Sequence, residues 1–258
     1  MKNFYDFKVE NIKGLSAQEK KFRNKELDLF IKNGFPNKRE EAWKFTDLNT
    51  ILSKNFANIT NDDISLKQKK FELIKEFDHN YLFVLDGKLI SNEFKFEDKN
   101  KVLIKEYDYK KKISVSNQNS LNLLNNALAK GGYCLEISEN YKFKKPLVVY
   151  NHFSKSIKEQ IICYKNSLIL NENSELTILN YTDTNSKNNF FVNSFDYIKL
   201  RKDSNLKNIF VNKDRCNCYF HNYLKCDLEH NTNLDNYILS TGLKFNKIDI
   251  EINLNEEH

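Results

Sequence analysis

The sequence predicts a mainly β protein: a coil of short stacked strands preceded by a helical amino-terminal region. Three observations predict this. The first is a motif that recurs in the second half: two alternating apolar residues, a polar link, Asn or Asp, a small polar residue and a leucine. Its copies run from Leu168-Ile169-Leu170 to Asn173-Ser174-Glu175-Leu176, from Ile198-Lys199-Leu200 to Asp203-Ser204-Asn205-Leu206, and from Cys226-Asp227-Leu228 to Asn231-Thr232-Asn233-Leu234. The closing leucines are 30 and 28 residues apart. At such a period each unit buries its apolar face only against its neighbours. The second is that nearly everything after Tyr133 reads as short strands joined by Asn, Asp or Ser. Ile248-Asp249-Ile250-Glu251-Ile252-Asn253-Leu254 alternates without a break, so one face of it must be buried. The third is that strong helical signals are confined to the residues upstream.

Taken in order, residues 16–33 read as an amphipathic helix. Ser16 caps it, Glu19 completes a capping box, Phe22, Leu27, Phe30 and Ile31 supply the apolar stripe, and Gly34 and Pro36 end it. A second short helix is expected over Arg39–Lys44, then a polar loop over 54–66 leading into a charged helix near Lys67–Phe77. Tyr81-Leu82-Phe83-Val84-Leu85 meets Asp86-Gly87 and returns through Leu89-Ile90, the strongest two-residue hairpin signal. A helix follows at about 118–130 with Leu121, Leu124 and Leu128 on one face, stopped by Gly131-Gly132. The chain therefore divides into a mixed α/β region, 1–115, and a coil, 116–258. A fourth copy of the motif opens at Ile252-Asn253-Leu254-Asn255 just before His258, so the coil is expected to be incomplete at its carboxy-terminal end.

A chain of 258 residues can bury a sizeable core. Its 40% hydrophobic and 13% aromatic content excludes a disordered chain. With only 6 Gly and 2 Pro, Asn and Asp must make most turns, and both tolerate left-handed backbone. The 41 basic and 35 acidic residues give +6, read as a mixed, solvated surface. Basic runs such as Lys67-Gln68-Lys69-Lys70 and Lys110-Lys111-Lys112 are scattered and form no Arg-rich stripe. No run of about 18 apolar residues could cross a bilayer, and Met1-Lys2-Asn3-Phe4-Tyr5-Asp6 lacks the apolar core of a signal peptide. The five cysteines are expected to be reduced thiols in a cytoplasmic protein.

Phe35-Pro36-Asn37-Lys38-Arg39-Glu40-Glu41-Ala42-Trp43-Lys44-Phe45-Thr46-Asp47-Leu48 resembles the amino-terminal signature of the SufB/SufD family. There a Phe-Pro step precedes a basic–acidic pair and then Glu-x-Trp-Lys-aromatic-Thr. Leu124-Asn125-Asn126-Ala127, Gly132 and Pro146-Leu147-Val148-Val149 are similar to the family's next block. Lys165-Asn166-Ser167-Leu168-Ile169-Leu170 and Phe191-Val192-Asn193 follow in the family's order. The resemblance covers most of the chain. The short gap from Trp43 to the coil and the absence of a cluster-ligand motif favour the SufD branch. What it implies is a right-handed parallel β-helix core and a non-enzymatic scaffold in the SUF machinery for iron–sulfur cluster assembly. The implied partners are a SufB-like protein, as heterodimer, and a SufC-like ATPase. The implied iron–sulfur cluster is placed at the level of the complex, and none is assigned to this chain. Family members continue into a helical carboxy-terminal region that engages SufC, so SufC docking and the cluster residues of that part are not carried over.

Cys216, Cys218, His221, Cys226 and His230 form the one grouping rich in soft ligands, with Cys216, Cys218 and Cys226 the metal candidates. The spacing is Cys-x-Cys rather than Cys-x-x-Cys. Strand parity sends Cys226 inward with Leu228 and His221 outward, so packing is the expected role of Cys226. Trp43, the sole tryptophan, is expected to anchor the amino-terminal helices. Glu40 and Glu41 lack an acid–base partner nearby. No phosphate-cradling Gly-rich loop and no Gly-x-Ser-x-Gly elbow is present, so no catalytic or cofactor-binding residue is assigned. Asp183, Asp196, Asp203 and Asp214 are scattered, while Asn173, Asp203 and Asn231 align in the turns. Two rival readings are a β-helix carbohydrate-active enzyme, which needs carboxylates stacked on one face, and a basic nucleic-acid-binding module.

Overall fold

A computed structural model describes residues 4–63, 71–109, 113, 119–184, 186–212 and 216–255. The two basic runs and Asp214 lie outside the described residues. The chain opens with β1 (Tyr5–Asp6), α1 (Ala17–Asn33), α2 (Leu48–Asn55) and β2 (Ile59–Thr60), which pairs parallel with β1. Next come the hairpin β3 (Asn80–Leu85) and β4 (Lys88–Glu93), then β5 (Val102–Glu106) and α3 (Ser120–Leu128). Nine strands follow: β6 (Tyr133–Ile137), β7 (Leu147–Phe153), β8 (Ile161–Leu170), β9 (Glu175–Thr184), β10 (Phe190–Leu200), β11 (Asn205–Asn212), β12 (Cys218–Leu228), β13 (Asn233–Ser240) and β14 (Phe245–Leu254).

These nine alternate between two six-stranded sheets, ordered β14-β12-β10-β8-β6-β5 and β13-β11-β9-β7-β3-β4. All pairings among them are parallel, and about four turns stack into a β-solenoid. The repeat sets the register. Leu176, Leu206 and Leu234 stand side by side on β9, β11 and β13. On the facing sheet Leu168, Ile198, Cys226 and Ile252 form one row, and Leu170, Leu200, Leu228 and Leu254 the next. These rows build the interior, where each fully buried aliphatic side chain contributes roughly 1.5–3 kcal/mol.

The polar positions of the motif make the corners. Asn173, Asp203 and Asn231 take φ of 52°, 59° and 54°, the left-handed region that Asn and Asp tolerate. The following Ser174, Ser204 and Thr232 donate to the carbonyls of Asn171, Arg201 and Glu229 at 2.6, 2.6 and 2.9 Å. Ser174 and Ser204 are fully buried, so each hydroxyl satisfies a carbonyl that has left the ladder. A further corner precedes these: Asn140, at φ 57°, accepts from Asn173 Nδ2 at 2.9 Å. It belongs to an earlier rung, Leu135-Glu136-Ile137 to Asn140-Tyr141-Lys142-Phe143, in which Ile137 pairs with Leu170.

The first end of the coil is closed by antiparallel strands, β5 on β6 and β4 on β3, while β3 runs parallel to β7. Both sheets therefore begin upstream of residue 116 and cross the expected 1–115/116–258 division. Asp86 (φ 50°) and Gly87 (φ 81°) form the two-residue turn between β3 and β4, as the sequence predicts.

The amino-terminal layer departs more from expectation. The Ser16 capping box forms, with Ser16 N donating to Glu19 Oε2 at 2.9 Å. The buried stripe of α1, however, is Arg23, Glu26, Leu27 and Phe30, and Ile31 is exposed. The rotation follows from Arg23, whose Nη1 donates to the carbonyls of Ala127 and Ala129 at 3.1 and 2.8 Å. It thereby caps the end of α3, where helix carbonyls lack partners. The expected helix at Arg39–Lys44 is a single 3₁₀ turn, Glu41–Trp43, and α2 was not foreseen. Of the helix expected near 67–77, residues 67–70 lie outside the described residues and 71–77 are not helical. Phe71 there stacks on Phe83 at 4.0 Å, so burial against the sheet overrides a helix with few apolar residues.

Candidate functional site: the signature turn on the coil

Residues 35–47 fold into a compact turn held by its own side chains. The Glu40 carboxylate accepts from Asn37 N at 3.2 Å, and the Asn37 side chain accepts from Arg39 N at 3.0 Å. Trp43 N donates to the Glu40 carbonyl at 2.8 Å, and Thr46 N to the Trp43 carbonyl at 2.7 Å. Asp47 then caps α2, accepting from Thr50 N at 2.8 Å. Glu40 is thus occupied by local backbone, and Glu41 pairs with Lys44 at 2.6 Å on the surface. Phe35 and Trp43 point the other way and are each 2% exposed.

Both side chains land on the outward face of β8–β10–β12–β14. One outward row is Ile161, Phe191, Tyr219 and Phe245, the next Cys163, Asn193, His221 and Lys247. Phe35 meets Phe191 edge-on at 6.0 Å, and Phe56 meets Tyr219 at 5.2 Å. Trp43 stacks on Phe245 at 6.4 Å and lies 6.2 Å from the His221 ring. Lys247 Nζ sits 4.8 Å over the indole and donates to the Ala42 carbonyl at 3.3 Å.

A polar chain runs beneath the turn. Asn193 Nδ2 donates to the Leu121 carbonyl of α3 at 2.8 Å, and its Oδ1 lies 2.9 Å from His221 Nδ1. His221 Nε2 lies 3.1 Å from Asp249 Oδ2, and Lys247 pairs with Asp249 at 2.8 Å. Burial pushes the His221 pKa down against the hydrogen bond and charge of Asp249. Burial also works to raise Asp249, but its hydrogen bonds from His221 and Lys247 hold it below the ordinary carboxylate value. His221 was placed in a possible ligand grouping by sequence; its outward parity was legible there, its partners were not.

The cysteine candidates divide between regions. Cys226 is fully buried in the aliphatic interior between Ile198 and Ile252, and burial pushes its thiol up to about 12. Cys218 lies at the other end of the same strand, β12, buried among Phe153, Phe190 and Phe220 and hydrogen-bonded to Cys216. Burial raises the Cys218 thiol well above its ordinary value, which disfavours the thiolate a metal needs. His230 is exposed on a corner. Among the described residues, no three His, Cys, Asp or Glu side chains converge as a metal site.

The acids are also separated. Asp183 pairs with His152 on the outer face of the other sheet. Asp196 shares the inward parity of Ile198 and accepts from Asn166 and Asn222 at 2.8 and 2.5 Å; burial raises its pKa to about 6. Asp203 is in a corner, accepting from Asn231. No carboxylate groove of the kind a carbohydrate-cleaving coil needs arises from these three. A cleft of about 620 Å³ lies between the loop before α1, β4 and the residues after α3. Two of its cations are engaged, Arg23 on the α3 carbonyls and Lys130 on Asp63 at 2.9 Å. No helix among the described residues is long and apolar enough to cross a membrane.

Comparison with curated proteins gives no match. A family model described as the SufBD protein N-terminal region matches residues 2–149, over half of the chain, and it takes in the signature turn and α3. That match supports a role in iron–sulfur cluster assembly. With this match over the layer and a solenoid behind it, the chain belongs to the SufB/SufD family.

Proposed function

We propose that this chain is a SufD-like scaffold component of the SUF machinery, acting in the cytoplasm through contacts with a SufB-like protein and a SufC-like ATPase rather than by catalysis of its own. The observation that carries the reading is the use made of the signature residues. Phe35 and Trp43 are buried in the joint between layer and coil, and Glu40 closes a turn, so the motif builds a shape. The cysteines buried in the coil have thiols driven away from the thiolate form. On this reading the iron–sulfur cluster belongs to the assembled complex.

Co-purification tests it. The tagged chain, expressed with SufB-like and SufC-like proteins, should retain the SufB-like protein through washing in moderate salt. Recovery of the chain alone, with both partners folded and abundant in the same lysate, would overturn the scaffold reading.

A further inference from the structure

His221 is fully buried, and both of its ring nitrogens face oxygen acceptors: Nδ1 is 2.9 Å from Asn193 Oδ1 and Nε2 is 3.1 Å from Asp249 Oδ2. The Asn193 amide cannot turn over to resolve this. Its Nδ2 donates to the Leu121 carbonyl, and reversal would set two oxygens 2.8 Å apart. A neutral imidazole has one N–H and one lone pair, so either tautomer presses a lone pair against an oxygen. The doubly protonated ring donates in both directions.

We propose that His221 is held as an imidazolium, and that its proton closes a clasp tying the signature turn to the coil. The clasp runs from Asn193 through His221, Asp249 and Lys247 to the Ala42 carbonyl and the Trp43 ring. The charged groups facing the ring are Asp249 and Lys247, both from β14. The other elements packed against it bring neutral groups: Asn193 from β10, the Leu121 carbonyl acting through Asn193, and the indole of Trp43 from the turn. Burial alone pulls the His221 pKa down; against it stand an acceptor on each ring nitrogen and Asp249, ionised and fixed by Lys247, which supplies the countercharge that burial of an imidazolium requires. Loss of the proton either leaves Asn193 and Nδ1 in mutual repulsion or removes one of the two donors on Asp249, depending on which nitrogen gives it up. The turn is therefore held most tightly below the pKa of the ring and loosens as the pH rises through it.

Trp43 is the sole tryptophan, so its fluorescence reports the clasp without other indoles. The test pairs nitrogen NMR of the histidine ring in the full chain with Trp43 emission from mildly acidic to alkaline pH. Both ring nitrogens should be protonated at neutral pH, and emission should shift to the red on the alkaline side. His221→Gln, whose neutral amide neither gains nor loses a proton over this range, should abolish the shift. Should that variant fail to fold, Asp249→Asn, which removes the countercharge, should move the transition to lower pH. An unprotonated ring nitrogen at neutral pH overturns the proposal. So does a red shift that persists in His221→Gln, or that keeps its midpoint in Asp249→Asn.

Discussion

The coil and the amino-terminal layer are assembled by opposite rules. In the coil one solution is used repeatedly: a left-handed Asn or Asp, a hydroxyl on the departing carbonyl, and a leucine beneath. In the layer every joint is made once. Arg23 caps α3, Glu40 closes the signature turn, Asp47 caps α2, and Lys247 reaches back to Ala42. Repetition spreads the stability of the coil over many equivalent contacts. The layer concentrates it in a few large side chains, above all Trp43, which touch both regions.

That contrast predicts where damage is greatest. Trp43→Ala removes the side chain shared by both regions and should cost about 3–5 kcal/mol, read as a lower urea midpoint. If the midpoint of the strand signal did not move, layer and coil would be separate units. Leu206→Ala, in the middle of the leucine row, should cost about 2–5 kcal/mol in the same measurement. A smaller loss would show that neighbouring rungs collapse into the gap, a property a stacked repeat can have and the layer cannot. The smallest effect belongs to the corners. Asn173→Ala forces a left-handed backbone on a residue that resists it, at about 1–2 kcal/mol, and Asn173→Gly should be close to neutral. Equal losses from both substitutions would shift the importance of that corner to the Asn173–Asn140 hydrogen bond.

The same contrast explains what could be read in advance. The coil was legible because Leu176, Leu206 and Leu234 repeat at the period of a turn. Its first rung escaped notice because Tyr141 and Phe143 stand where later copies have Ser and Leu, although Asn140 keeps the corner. The hairpin at Asp86-Gly87 was legible because its two left-handed residues admit few sequences. The true stripe of α1 was hidden, because Arg23 and Glu26 are buried by bonds to α3 that no helical period encodes. Residues 71–77, within the helix expected near 67–77, illustrate the converse, a local preference overruled by the aromatic face of β3 and β7. The clasp was half legible. Aligning Leu200 with Leu228 sets Asn193 beside His221 and predicts that they share an outward row. That the signature turn covers this row is a long-range contact, which spacing cannot supply.

The joint between the two regions is tested most directly by following one urea titration with two signals, Trp43 emission for the turn and far-ultraviolet circular dichroism for the strands. A layer and coil joined by the buried tryptophan should unfold together, with superimposable transitions. Trp43 becoming exposed at a denaturant concentration where the strand signal is still intact would contradict it, leaving the signature turn as an ornament on an independent coil.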